Sequence, residues 1–188
     1  VRAPFIRALK SVEKTQADVL MRILRDNQKT EFGKKYELSE VSSVIEFREQ
    51  VPIHDYDDLG PYIKRQQEGH QSLTTEAPVY YARTSGTTGS YKDIPLTESG
   101  ITQIKHFQKQ LAYSLWSQTD FFKGTILGFS SPRFEGKLPN GIPYGSTSGA
   151  IYDSLSSLFK KKLAIPREAY DLSNVESKYE VYALSALA

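Results

Sequence analysis

At 188 residues, of which 39% are hydrophobic, the chain is long enough to bury about two thirds of its unfolded surface as one ordinary globular unit. Its 24 basic and 22 acidic residues leave a net charge of +2, and Lys and Arg are scattered rather than clustered, so there is no electrostatic footprint for a nucleic acid. Cysteine is absent, which excludes disulfides and thiolate metal sites and agrees with a reducing, cytoplasmic setting. No apolar run approaches the roughly 20 residues of a membrane helix. The opening "VRAPFIRALK" lacks the apolar core of a signal peptide, and a start at Val1 rather than Met points to a processed or excerpted chain.

From Pro4 to about Asn27, Phe5, Leu9, Val12, Val19, Leu20, Ile23 and Leu24 recur at three- and four-residue intervals. That spacing predicts one amphipathic helix of some six turns. "SSVIEFREQ" predicts a second helix, with Ser42 or Ser43 as N-cap and Glu46 placed for a capping box, ending before Pro52. "DYDDLGPYIKRQQEGH" predicts a helix capped by Asp55, broken near Gly60-Pro61 and renewed as far as Gly69. "APVYYART" is a run of strand formers, followed by a glycine loop. "TESGITQIKHFQKQLAYSLW" then resumes helical periodicity behind a cap region at Thr97 to Gly100. "GTILGFSS" (residues 124–131) is the second strand candidate, and the Gly/Pro/Ser-rich stretch from Ser131 to Tyr152 reads as a long loop. "SKYEVYALSALA" is a helix whose apolar pattern is still running at the last residue.

The coarse division is a helical segment over 1–76, strand, loop and helix over 77–118, strand and loop over 124–152, and a truncated helix over 173–188. Two strands among helices are too few for a stable sheet of the usual four to six. The expected fold class is therefore helix-rich α/β, the incomplete N-terminal part of a larger fold.

The chemistry concentrates in "TSGTTGSYK". Thr84, Ser85, Gly86, Thr87, Thr88 and Gly89 present successive backbone N–H groups with little bulk, and four of them carry hydroxyls. Such a turn makes a concavity for anions. Gly86 and Gly89 allow positive φ, and Lys92 brings an ammonium to the same phosphates. Composition alone favours a solvated linker, but a strand before the loop and a helix after it are the setting in which such loops bind phosphate and reverse that preference. A Walker A loop is excluded, because its second glycine would fall at Tyr91, and no G-x-G-x-x-G occurs.

"YYARTSGTTGSYK" resembles the AMP-binding signature of the adenylate-forming superfamily that includes firefly luciferase and acyl-CoA synthetases, with Tyr91 where those enzymes often have proline. Together with "TQADVLMRILRDNQKTEFGKKY", "FREQVPIHDYDDLGPYIKR" and "DIPLT", it resembles the N-terminal third of the auxin-responsive acyl acid-amido synthetases, the Gretchen Hagen family. The likeness runs from about Thr15 to Tyr152, and the Gly145-Ser146 region is similar to the bacterial members. The resemblance implies a luciferase-like fold and the use of ATP and Mg²⁺ to adenylate an acyl acid, which is then joined to an amino acid. It implies phosphate contacts from Thr84, Ser85, Thr87 and Thr88, with Lys92 as the catalytic cation. Adenine and ribose contacts, a Mg²⁺-binding carboxylate and the mobile C-terminal domain are expected beyond residue 188, so the chain alone is expected to be inactive. A CoA ligase forming a thioester, and a non-catalytic domain that kept the loop, are the rival readings.

Other residues carry plainer expectations. His54, His70 and His106 follow no ligand spacing, and the aspartates of "HDYDDLG" read as a helix start. Leu111, Tyr113, Leu115 and Trp116 read as a core-packing stripe on a helix that, in the resembling family, borders the acyl pocket. "GIPYGSTSG" is either a second anion loop, with no strand clearly feeding it, or a turn-rich loop near the acyl site. Arg83 stands to reach either a phosphate or one of the protein's own carboxylates.

Overall fold

The structure is a computed structural model that describes residues 2–84, 91–172 and 174–187. It divides into two compact units, Val1–Val79 and Tyr80–Ala188. No helix among the described residues is long and apolar enough to cross a membrane.

The first unit is helical. The long helix expected over Pro4 to Asn27 is two, α1 (Arg2–Leu9) and α2 (Val12–Asn27). The i+3/i+4 apolar rhythm survives the break because it reports a face, not an unbroken backbone. At the junction, the N–H groups of Lys10 and Ser11 close on the carbonyls of Arg7 and Ala8, and Ser11, at φ −144° and ψ 60°, leaves helical geometry before α2 restarts. The next helix, α3 (Glu31–Lys35), is capped by Thr30, whose buried hydroxyl accepts from Gly33 N–H and donates to the Asn27 carbonyl. Gly33 is required there, because a Cβ would lie 2.3 Å from that same carbonyl oxygen.

Helix α4 (Val44–Gln50) starts at Ser43, one of the two expected caps, and Glu46 reaches back to the backbone and hydroxyl of Ser42. Leu24, Leu38 and Val41 form the core of this unit, flanked by Leu20, Met21, Phe32, Tyr36, Phe47 and Val51. Helix α5 (Tyr56–Gln67) opens with a full capping box between Asp55 and Asp58, which is the helix-start role expected of these aspartates. It does not break at Gly60-Pro61. The proline stands one turn past a satisfied start, where its missing N–H removes one hydrogen bond, and the burial of Ile63 and Gln66 further on carries the helix through. It closes at Gln67, and Gly69 takes the left-handed conformation (φ 94°) that favours glycine after a helix. Buried Gln66 then organises the following turn: its Oε1 accepts from the N–H groups of Ser72, Leu73 and Thr74 at 3.0–3.2 Å.

The second unit contains the sheet, which among the described residues has four strands rather than two, in the order β2-β1-β4-β3. Strand β1 (Pro78–Arg83) lies between β2 (Asp93–Thr97) and β4 (Pro143–Ser146). It pairs in parallel with β4, with Tyr81 opposite Tyr144 and Arg83 opposite Ser146. The short β3 (Gly136–Lys137) joins β4 antiparallel through a turn in which Gly141 has φ 83°. The stretch expected as one long loop thus holds two strands and the helix α7 (Thr147–Ser154).

Conversely, residues 124–131 are not a strand; only Ile126 makes a bridge, to Leu163. The cause is that side chains take the carbonyls a neighbouring strand would need. Tyr170 donates its hydroxyl to the Gly128 carbonyl and Tyr182 to that of Ser130, at 2.9 and 3.0 Å. These two tyrosines, with Tyr152, Ile165 and Ala169, form the second core. They come from α7, from the short α8 (Ser157–Lys160) to α9 (Arg167–Tyr170) stretch, and from α10 (Val175–Leu187). Burial pushes the Tyr170 hydroxyl up to about 12, because its ionised form would sit in a poorly solvated core. The long α6 (Glu98–Gln118) completes the unit.

Candidate functional site

Strand β1 ends at Arg83 and β2 begins at Asp93, so Thr84 and Lys92 mark the two sides of the glycine loop's neck. Thr84 N–H donates to the Lys92 carbonyl at 3.0 Å, and Lys92 N–H donates to the Thr84 hydroxyl oxygen at 3.3 Å. These bonds hold the candidate hydroxyl and the candidate ammonium on facing chain ends. The remaining expected phosphate contacts, Ser85, Gly86, Thr87, Thr88 and Gly89, lie outside the described residues.

The setting differs from the expected strand-loop-helix. A strand, β2, follows the loop, and α6 begins only at Glu98 with its first turn satisfied internally, Gly100 N–H donating to the Thr97 hydroxyl at 3.1 Å. Strand β2 thus separates the loop from α6 along the chain.

Arg83 pairs with a carboxylate. Its Nε and a terminal nitrogen donate to the two oxygens of Asp93 at 2.8 and 3.0 Å, and its guanidinium lies 3.7 Å from the centroid of the Tyr144 ring. Hydrogen bonding to Asp93 is the main cause that drives the Arg83 pKa above its ordinary value, against a smaller opposing effect of burial. Sequence reasoning missed Asp93 and Tyr144. Asp93 could have been found from its place beside Lys92, opposite Arg83 once the two strands pair; Tyr144 joins only through the parallel β1–β4 register.

Behind the strands, the hydroxyl of Tyr80 donates to the carbonyls of Arg133 and Ser146 at 2.7 and 3.1 Å. Tyr81 is fully buried, its hydroxyl makes no hydrogen bond among the described residues, and burial pushes it up to about 12. Between β2, α6 and α7 lies a small cavity of about 100 Å³, lined by Tyr80, Leu96, Ile104, Lys105, Ile151 and Asp153 among others.

The stripe expected on α6 does not pack a core. None of its residues is buried; Leu111 and Tyr113 are half-exposed and Trp116 is 72% exposed. Residues over "GIPYGSTSG" are indeed fed by a strand, since β4 runs directly into α7, but the position is filled from within. Ser146 caps Gly149 N–H at 2.9 Å, and a Cβ on Gly145 would lie 1.8 Å from the Arg133 carbonyl oxygen. Those glycines admit the chain at 131–133, not an anion. His54 packs against the rings of Phe32 and Tyr36, and no group of acidic, histidine or cysteine side chains among the described residues is arranged to hold a metal.

The model of the GH3 family N-terminal domain matches residues 2–188. The chain belongs to the GH3 family. Among its relatives is the indole-3-acetic acid-amido synthetase GH3.3 of Arabidopsis thaliana, 29% identical over 174 residues that make 88% of this chain and 28% of that protein. Another is GH3.8 of Oryza sativa subsp. indica, at 33% identity over 77% of this chain and 24% of that protein. The jasmonoyl-L-amino acid synthetase JAR4 of Nicotiana attenuata is 27% identical over 82% of the chain and 27% of its own length. The solved structure of the GH3.15 acyl acid amido synthetase superposes with a TM-score of 0.78 at 24% identity, over 94% of this chain and 32% of that one. The helix-rich α/β fold with its small sheet is therefore that of a GH3 N-terminal region, and the chain spans about a third or less of the length of these relatives.

Proposed function

We propose that the full-length protein uses ATP and Mg²⁺ to adenylate a carboxylic acid and then passes the acyl group to the amine of an amino acid. Residues 1–188 form the N-terminal part of its large adenylate-forming domain and supply the phosphate loop. The observation that carries this reading is the neck. Two hydrogen bonds hold Thr84 and Lys92 face to face at the ends of a Thr/Ser/Gly run, and the carboxylate next to Lys92, Asp93, is paired with Arg83. Hydroxyls, backbone N–H groups and an ammonium suit the triphosphate of ATP.

Thr84, Ser85, Gly86, Thr87, Thr88 and Gly89 would surround the β- and γ-phosphates, and Lys92 would balance the charge that develops on departing pyrophosphate. A carboxylate is a poor electrophile, and joining it to AMP supplies the leaving group. Mg²⁺ would enter on the nucleotide's own phosphates, as is usual for this ion, with the carboxylate that helps bind it expected beyond residue 188. Catalysis belongs to the full-length protein, and this part alone would bind nucleotide weakly at most. The names of the relatives, an indole-3-acetic acid-amido synthetase and a jasmonoyl-L-amino acid synthetase, support amide rather than thioester formation.

The test incubates full-length protein with ATP, Mg²⁺ and a panel of acids, with amino acids or CoA as acceptor, reading pyrophosphate release and the product's mass. Acid-dependent pyrophosphate and an amide are expected. A thioester would turn the reading to a CoA ligase, and no release with any acid would leave a binding domain. Lys92→Ala should slow pyrophosphate release by roughly 1.5–3 kcal/mol of lost charged hydrogen bonding; an unchanged rate removes Lys92 from the site.

A further inference from the structure

Two side chains with no assigned phosphate contact flank the two that have one. Arg83 precedes Thr84 and Asp93 follows Lys92. Their bidentate pair spans the neck from β1 to β2, with the side chains only 20% and 15% exposed. The Tyr144 ring pins the guanidinium from β4, and the Tyr91 ring stands 5.5 Å from it. A forked pair fixes separation and angle together, whereas a lysine would hold one oxygen as a point charge and turn about it. Both partners are drawn into the pair, so Arg83 adds no net charge for a ligand and Asp93 leaves none to repel one.

We propose that Arg83 and Asp93 are positioning residues: a charge-neutral clasp that holds the loop's neck at one width and so aims the Thr84 hydroxyl and the Lys92 ammonium at the same triphosphate. The proposal rests on the phosphate-loop reading above. A donor held in place before the ligand arrives gives up little freedom on binding, and a displacement of about 1 Å in such a shell forfeits much of that gain. The clasp thereby acts on nucleotide affinity through Lys92 without touching the nucleotide.

The test measures MgATP binding to the full-length protein by equilibrium dialysis in four forms: unaltered, Arg83→Lys, Lys92→Ala and the double variant. Lys92→Ala is expected to weaken binding about tenfold or more, and Arg83→Lys about threefold to tenfold. The double variant is expected to bind within about twofold of Lys92→Ala, since with no ammonium left to aim most of the clasp's effect disappears. A merely structural arginine would instead give losses that multiply.

Multiplying losses, or unaltered binding in Arg83→Lys beside a loss in Lys92→Ala, would overturn the clasp and leave the phosphate loop standing. Unaltered binding in Lys92→Ala would overturn both. If Arg83→Lys lowers the melting temperature, Asp93→Glu, which keeps the ion pair but lengthens it by a methylene, must show the same dependence on Lys92; independence overturns the proposal.

Discussion

The two units differ in how their backbone groups are satisfied, although each also holds bonds of the other kind: Thr75 reaches Asp26 and Asn27 in the first, and Ser146 caps Gly149 in the second. In the first, polar side chains close on backbone a few residues away: Thr30 on Gly33, Ser43 on Glu46, Asp55 on Asp57 and Asp58, Gln66 on residues 72–74. In the second, tyrosine hydroxyls reach carbonyls that lie 42 to 66 residues off in sequence. A chain end satisfied locally is decided by its own neighbours. One satisfied by a distant tyrosine is decided by the fold, and it gives up ladder pairing in exchange, as Gly128 and Ser130 do.

The hardest blow to this contrast is Tyr170→Ala, which empties a site at the centre of the second core and releases the Gly128 carbonyl. A loss of about 3–5 kcal/mol is expected in chemical unfolding. A loss below about 1 kcal/mol would mean that the tyrosines do not hold that unit. In the first unit, Gln66→Ala orphans three backbone N–H groups at once and should cost about 3 kcal/mol. Hydrogen exchange sharpens the point, since the amides of Ser72, Leu73 and Thr74 should lose protection while those of β1 keep theirs. Tyr182→Phe removes a single hydroxyl from the Ser130 carbonyl and is expected to cost about 1 kcal/mol, read as earlier unfolding with the core otherwise intact.

The smallest effect is one of pH. The hydrogen bond from Arg65 is the main cause that holds the Glu31 carboxyl below its ordinary value of 4.5. A lowered carboxylate lends stability above its unfolded value and loses it as the pH falls from there through the lowered folded value. Glu31→Gln should therefore remove a slight stabilisation at neutral pH and flatten the acid-side decline below pH 4.5, so that the two forms converge in acid. A stability difference between the two forms that persists unchanged through the acid range would show that the pair is not titrating.

Legibility in the sequence follows the same division. Ser43, Asp55 and Thr97 cap the helices they were expected to cap, because a cap needs only its own first turn. The break at Lys10-Ser11 escaped, since apolar rhythm is blind to it. Strands of two and four residues such as β3 and β4 carry too little pattern to be seen, and "GTILGFSS" carries a strand's pattern without a partner to pair with. The motif singles out Thr84 and Lys92 as candidates, and the fold puts them at one neck. Asp93 and Tyr144 are not singled out, because both acquire their partner only when β1 meets β2 and β4.

That meeting also sets a tempo. The parallel register of Tyr81 with Tyr144 joins residues about sixty apart, so the centre of the sheet closes only after the intervening chain has been gathered, at an entropic cost above that of the caps and of the 48- and 49-residue closures at Thr75 in the first unit. The helical unit is therefore expected to form early on the folding path, and the β1–β4 pairing to come late. Until it does, the β4 edge of β1 remains an open strand edge, the point at which a newly made chain is most exposed to pairing with a neighbour.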